Sequence, residues 1–518
     1  MYNNIKLEGL NMSKLPLSLE RVIKDKPILE HFVRGLPNLG EPKFGGTYSS
    51  EVAKIYDAFE LYGNELYELE NERIRGRNSR SLGGGSPMRT EAFPPCKKEL
   101  LNVIYEDKLS DYPMAAGDEY SRKIIVDYLK REGFQNEAGI SEDNIIFTLS
   151  TTQAFNIIMK IIARPHDVVL MTGPNYGLFT FTPERSAGAT VEILPLSIED
   201  NWYVNPEKLS LRIDEINRQL EERYRGKLEY TPKVVAFLNE NPHNPLGKVM
   251  NDNNCEILEK IGDVCLEKGV FVIDDLIYRD LTFDRNNLAK PMGEYTKYFD
   301  NTITITGLSK SYGLASIRAG MVVANEIIIR GIRNYIFQTM DSSPVLQGRA
   351  LAGAFNSSVE RYREYDKFFN PIIDEYRYRL ELLKSLVEGI DSIKDIDLRN
   401  KIENEIRRYA QNDFNINELL EGIPGVNIVD GTYPESGFFV MLDYTNLKNK
   451  SSDYGRTISN EKELLKYMYE QEKIKIILGQ SISWPNQDQL VGRVTTALPR
   501  EDIIEHFGAM NRCLRKLR

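Results

Sequence analysis

Lys310 stands in Ser309-Lys310-Ser311-Tyr312-Gly313-Leu314-Ala315-Ser316-Ile317-Arg318-Ala319-Gly320, directly after the β-like run Thr302-Ile303-Thr304-Ile305-Thr306. Most other lysines of the chain lie in charged, helix-like surroundings and read as solvated surface. This one, among small and hydroxylated residues, reads as a lysine presented by a strand end into a site. A lysine amine attacks only when unprotonated, and its free pKa is about 10.4. Burial and neighbouring cations lower that value and permit Schiff-base chemistry with an aldehyde.

Other loops carry complementary chemistry. Ser150-Thr151-Thr152-Gln153 lies between a predicted strand and a predicted helix. Hydroxyls and backbone N–H groups at a helix N-terminus suit a phosphate, although a plain N-cap uses the same residues. Tyr176, in Gly173-Pro174-Asn175-Tyr176, is placed to stack on a planar ring or to fill the core. Asn241-Pro242-His243-Asn244-Pro245-Leu246-Gly247 fixes an asparagine in a rigid loop after an apolar strand. Asp274 and Asp275 end the run Val270-Phe271-Val272-Ile273, with Tyr278 three residues on; a carboxylate there pairs with a buried cation or caps a helix. Arg493 lies within a late strand, where a buried arginine needs a carboxylate partner from protein or ligand. Phosphate anchor, stacking ring, asparagine, aspartate, lysine and arginine together match pyridoxal phosphate. Its aldehyde needs a lysine, its pyridinium nitrogen an aspartate, and its phosphate a hydroxyl-rich helix start.

Alternating elements must position these residues. Strands are predicted over 144–148, 168–171, 191–194, 234–238, 270–273 and 302–306, with helices over 153–163 and 256–268 among them. Short apolar strands between helices predict an α/β fold with a mostly parallel sheet in α/β/α layers. We therefore place a large cofactor-binding domain at 81–365. A smaller α+β domain is expected at 366–518, joined by the N-terminal part of the core, with strands at 437–442 and 492–497. A long helix is predicted to begin after Pro371, and 391–420 reads as a charged helical insertion. Residues 1–80 read as a helical N-terminal extension, with Val52, Ile55, Tyr56, Phe59, Tyr62, Leu66 and Leu69 near helical period. The run Gly83-Gly84-Gly85-Ser86-Pro87 breaks it.

The bulk numbers narrow the function class. With 518 residues, 41% hydrophobic and 27% charged, the chain has ordinary globular composition. A net charge of -10 argues against a general nucleic-acid binder. Four cysteines without CxxC pairing and four histidines without ligand spacing predict neither disulfide framework nor metal site. With no apolar stretch of membrane-spanning length and no signal-peptide pattern, a cytoplasmic enzyme with no membrane or nucleic-acid partner is expected.

Over residues 80 to about 515 the chain resembles the fold type I pyridoxal-phosphate enzymes of the class I/II aminotransferase family (aspartate aminotransferase-like). The Asn241–Gly247 loop is similar to that family's Asn-Pro-x-Asn-Pro-[Thr/Leu]-Gly. Ser309-Lys310 with Arg318-Ala319-Gly320 is similar to its Ser-Lys…Arg-x-Gly loop, and Asp275-x-x-Tyr278 completes the set. The resemblance implies that Lys310 forms the internal aldimine and shuttles the substrate proton, with Asp275 and Tyr278 as further catalytic residues. Asp275 would pair with the ring nitrogen, Asn244 and Tyr278 with the ring oxygen, and Tyr176 would stack on the ring. Ser150, Thr151, Thr152, Ser309 and Arg318 would hold the phosphate. Tyr112 would reach the phosphate of a neighbouring subunit in a homodimer. Gly85, Asn244 and Arg493 would contact the substrate, Arg493 clamping its α-carboxylate. Gly307 departs from the serine many members carry three residues before the lysine, and Ser150 stands where glycine is frequent. The implied activity is transfer of an amino group between an α-amino acid and a 2-oxo acid. A lyase, decarboxylase or oxidase on the same fold is the alternative, and a non-enzymatic regulator of this fold a further one.

Overall fold

The computed structural model describes residues 16–24, 80–106, 108–410, 414–453 and 455–518. The helical pattern of 50–69 lies outside the described residues. Within the expected N-terminal extension, Leu17–Lys24 is a helix, and Arg80 already belongs to a strand.

The large sheet contains β1 (Ile145–Thr148), β2 (Val168–Gly173), β3 (Thr190–Pro195), β4 (Val234–Glu240), β5 (Phe271–Asp275), β6 (Thr302–Gly307) and β7 (Gly320–Val323), in the order β1-β7-β6-β5-β4-β2-β3. β7 runs antiparallel to both neighbours; every other pairing is parallel. Side chains alternate between the two faces of a strand. Val169 and Met171 enter one buried cluster with Ile273 of β5 and with Phe155, Ile158 and Ile328 from the helices Thr151–Ile162 and Glu326–Met340. Val168 and Leu170 enter another with Ile213 and Ile261, from Pro206–Tyr224 and Cys255–Lys268. Apolar side chains at successive strand positions are thus explained by helices on both faces.

A four-stranded antiparallel sheet follows: β8 (Asn427–Ile428), β9 (Phe439–Asp443), β10 (Ile477–Leu478) and β11 (Val491–Thr495), in the order β10-β11-β9-β8. Arg80–Ser81 pairs in parallel with Ile474–Lys475, and Thr495 N–H donates to the Leu82 carbonyl at 2.8 Å. The glycine run is thereby tied beside β11. The insertion is helical at Ile396–Ala410 and Ile416–Glu421.

One element departs from expectation. The long helix spans Val359–Glu388, capped by Ser358, with Pro371 inside rather than before it. An interior proline costs about 3 kcal/mol. The buried face around it, Phe369, Ile372, Ile373, Tyr376, Leu380 and Leu383, offsets that cost.

Candidate active site

All the strand ends that carry candidate residues lie on one edge of the large sheet. In parallel sheets ligands bind outside the carboxyl ends of the strands. Ser150 follows β1, Tyr176 follows β2, Asn244 follows β4, Asp275 ends β5 and Lys310 follows β6. Arg493 comes from β11 of the small sheet and reaches Asn244 after β4, so the site draws on both sheets.

Lys310 Nζ donates to the Gly85 carbonyl at 2.6 Å and stands 5.9 Å from the centre of the Tyr278 ring. Burial lowers its pKa to about 8; the nearby Arg493 and Arg318 cations push the same way, against the Asp275 carboxylate. Arg493 is buried, donates to the Gly83 carbonyl at 3.1 Å and to Asn244 Oδ1 at 3.4 Å, and lies 4.0 Å over the Phe439 ring. Both cations therefore rest on carbonyls of the glycine run.

Asp275 is buried and accepts the Ile277 N–H at 3.0 Å. Burial pushes its pKa up to about 7, with Asp274 adding to the rise and Lys310 opposing it. The other sequence candidate, Asp274, bonds Asn239 Nδ2 at 2.8 Å and the Met292 N–H at 2.9 Å. As alternation requires, Asp274 is a structural anchor on the opposite face, and Asp275 is the residue aimed at the site.

Ser150 is the N-cap of Thr151–Ile162: its Oγ accepts the Gln153 N–H at 3.1 Å. A hydroxyl that accepts still has a proton to donate, so cap and anion contact coexist. Thr151 is half-buried and Thr152 exposed. Gly320 passes directly beneath; a Cβ there would meet the Ser150 carbonyl carbon at 2.7 Å. Arg318 has φ +59°, is exposed, and donates to the Ala315 carbonyl at 2.9 Å and to Ser309 Oγ at 3.5 Å. Gly307 also has its reason, since a Cβ there would lie 2.5 Å from the Ala319 carbonyl oxygen. The tight β6–β7 junction leaves no room for a side chain at this position.

Tyr176 is half-buried and packs edge-on against Phe179 at 5.1 Å. Burial raises its phenol pKa, with Arg493 opposing and Asp275 and Glu240 adding. Tyr278 is buried and meets Phe438 and Phe439 at 5.7 and 6.1 Å. Tyr112 is not gathered in; it is 87% exposed.

Comparison with known proteins identifies the family. The model of "Aminotransferase class I and II" matches residues 89–507. The chain belongs to the class I and II aminotransferase family. Among curated relatives, a probable aspartate/prephenate aminotransferase of Aquifex aeolicus is 22% identical, covering 86% of this chain and 93% of its own length. Human kynurenine–oxoglutarate transaminase 3 is also 22% identical, covering 77% of this chain and 76% of its own. The aspartate aminotransferase structure from Rhizobium meliloti superimposes with a TM-score of 0.68 at 16% identity, over 92% of this chain and all of that one. This aminotransferase is accordingly a pyridoxal-phosphate enzyme. Its residues fit that cofactor: a lysine with depressed pKa, a buried carboxylate, and a capped helix start beside an arginine lie along one sheet edge.

Sequence reasoning missed three members of the site. Gly83 and Phe439 carry no chemical signal of their own. Glu240 had one, a carboxylate at the end of an apolar strand just before Asn241, but it reads as the tail of the strand. Among the described residues no group of His, Cys, Asp and Glu is placed to hold a metal ion, and no helix is long and apolar enough to cross a membrane.

Proposed function

We propose that this aminotransferase takes its cofactor on Lys310 and transfers the amino group of an α-amino acid bound through its carboxylate by Arg493. The observation that carries this reading is the Lys310 amine just after β6, bonded at 2.6 Å to the Gly85 carbonyl of the same glycine run whose Gly83 carbonyl holds Arg493. Pyridoxal phosphate supplies an aldehyde that takes up the amino group and a ring that withdraws electrons. Around it, Asp275 would supply a carboxylate for the ring nitrogen, and Asn244 and Tyr278 would supply hydrogen bonds. Tyr176 would cover a ring face, and Ser150, Thr151, Thr152, Ser309 and Arg318 would bind the phosphate. Lys310 then moves the proton from the substrate's α-carbon. Entry of the substrate carboxylate displaces the Gly83 carbonyl from Arg493 and exchanges a neutral acceptor for a charged one, which strengthens the contact.

We further propose a cytoplasmic homodimer. Leu101, Ile104, Leu109, Tyr112 and Met114 are all exposed within one short stretch, which favours a second copy as their cover. The free cysteines suit a reducing compartment.

A single-turnover experiment tests the activity. Loaded enzyme mixed with an amino acid alone should yield one 2-oxo acid per site and then stop until a second 2-oxo acid is added. Continuous release of ammonia, carbon dioxide or peroxide without an oxo acid would instead identify a lyase, decarboxylase or oxidase.

A further inference from the structure

Glu240 is the last residue of β4 and stands in register with Asp275, the last residue of β5. Register partners on neighbouring parallel strands point to the same face. One residue earlier, Asn239 and Asp274 also pair, and their side chains bond each other on the opposite face. Glu240 and Asp275 are therefore two carboxyls side by side on the face that carries the site. Glu240 is buried, and its Oε2 has no hydrogen-bond partner among the described residues. The groups acting on it are Asp275 from β5, Arg493 from β11 and the backbone N–H of Tyr176 from the loop after β2.

Two adjacent buried carboxylates without a cation bonded to the second are costly; one of the pair keeps its proton. Asp275 has the ionising partners, with the Ile277 N–H bonded to it and the Lys310 amine nearby. Burial first, and Asp275 second, raise the Glu240 carboxyl well above the usual carboxylate range.

We propose that Glu240 is a positioning residue for the cofactor: a neutral carboxylic acid beside Asp275 that keeps this end of the site at one negative charge rather than two. The inference rests on the assignment of Asp275 to the ring nitrogen. It adds that the charge felt by Lys310 is set by a pair of acids of which only one ionises near neutrality.

The test uses two measurements on full-length protein. Infrared difference spectra of the cofactor-free enzyme, wild type minus Glu240→Gln, should show a protonated-acid carbonyl band that persists as pH is raised above 7, where Asp275 loses its proton. Next, the rate of pyridoxal phosphate capture is followed against pH by the absorbance of the bound cofactor, which reports the Lys310 amine. Glu240→Gln should leave that midpoint within about 0.3 pH units, whereas Asp275→Asn, which removes a real charge, should lower it by about one unit. Absence of an acid band from that difference spectrum, or a one-unit drop with Glu240→Gln, overturns the proposal. A midpoint unmoved by Asp275→Asn refutes the assignment of Asp275 instead. The infrared comparison still reports on Glu240 in that case.

Discussion

At the residue scale the site depends on unlike groups held in one small volume. Lys310→Ala should lose the amine that carries the cofactor and the proton, and turnover should fall by about 10²–10⁴-fold or more; steady-state rates and the bound-cofactor spectrum check this. Arg493→Lys keeps the charge but loses the planar fork. We expect KM for the amino donor to rise roughly 10- to 100-fold, the loss of about 1.5–3 kcal/mol from a charged hydrogen bond. Asp275 gives a pH signature. Its carboxyl is raised from 3.8 to about 7, so the folded state holds this proton more tightly than the unfolded chain does. That contribution to stability is full below about pH 4 and is lost as pH climbs through about 7. Cofactor-free Asp275→Asn should thus melt higher than wild type at pH 8, by on the order of 5 °C, and the two should converge near pH 4. Lys310, Asp275, Asn244 and Arg493 were legible in the sequence because each is a polar residue where a strand pattern ends or should exclude it. Glu240 was not, because its meaning depends on which residue of the neighbouring strand lies beside it, and register is not written in one strand alone.

At the element scale the parallel strands were legible because burial on both faces leaves short, continuous apolar runs. The long helix was only half legible. Pro371 signals a start by its local chemistry, and only the packed face on both sides of it shows that the helix runs through. The departure at Gly307 likewise became intelligible only once β6 and β7 were paired. Gly307→Ser should destabilise the enzyme by about 1–3 kcal/mol, because the Ala319 carbonyl must move to make room. A lowered melting temperature measures this; an unchanged one would mean that the β6–β7 junction yields more easily than its backbone contact implies.

At the scale of the whole molecule, the stretch around Leu101 and Ile104 gives the prediction for assembly. The double substitution Leu101→Glu and Ile104→Glu should shift a dimer to monomers in light scattering coupled to size exclusion, and Tyr112→Phe should weaken cofactor retention without splitting the dimer. The helical insertion at 391–420 could be read from its charge pattern, but the return of residues 80–82 to the far end of the chain could not, because a strand of two residues has no periodicity. That return anchors the start of the glycine run, and it has an engineering consequence. The carbonyls of Gly83 and Gly85 hold both working cations, while a Cβ added at Gly84 between them would meet nothing within 4 Å. Gly84→Ala is therefore a mutation the folded enzyme has room for, and the reduced freedom of the unfolded chain should raise stability by about 0.4–1 kcal/mol. The same stiffness would slow the release of Arg493 to an incoming carboxylate. Residue 84 would then be a position where heat resistance and turnover are traded against each other by a single methyl group.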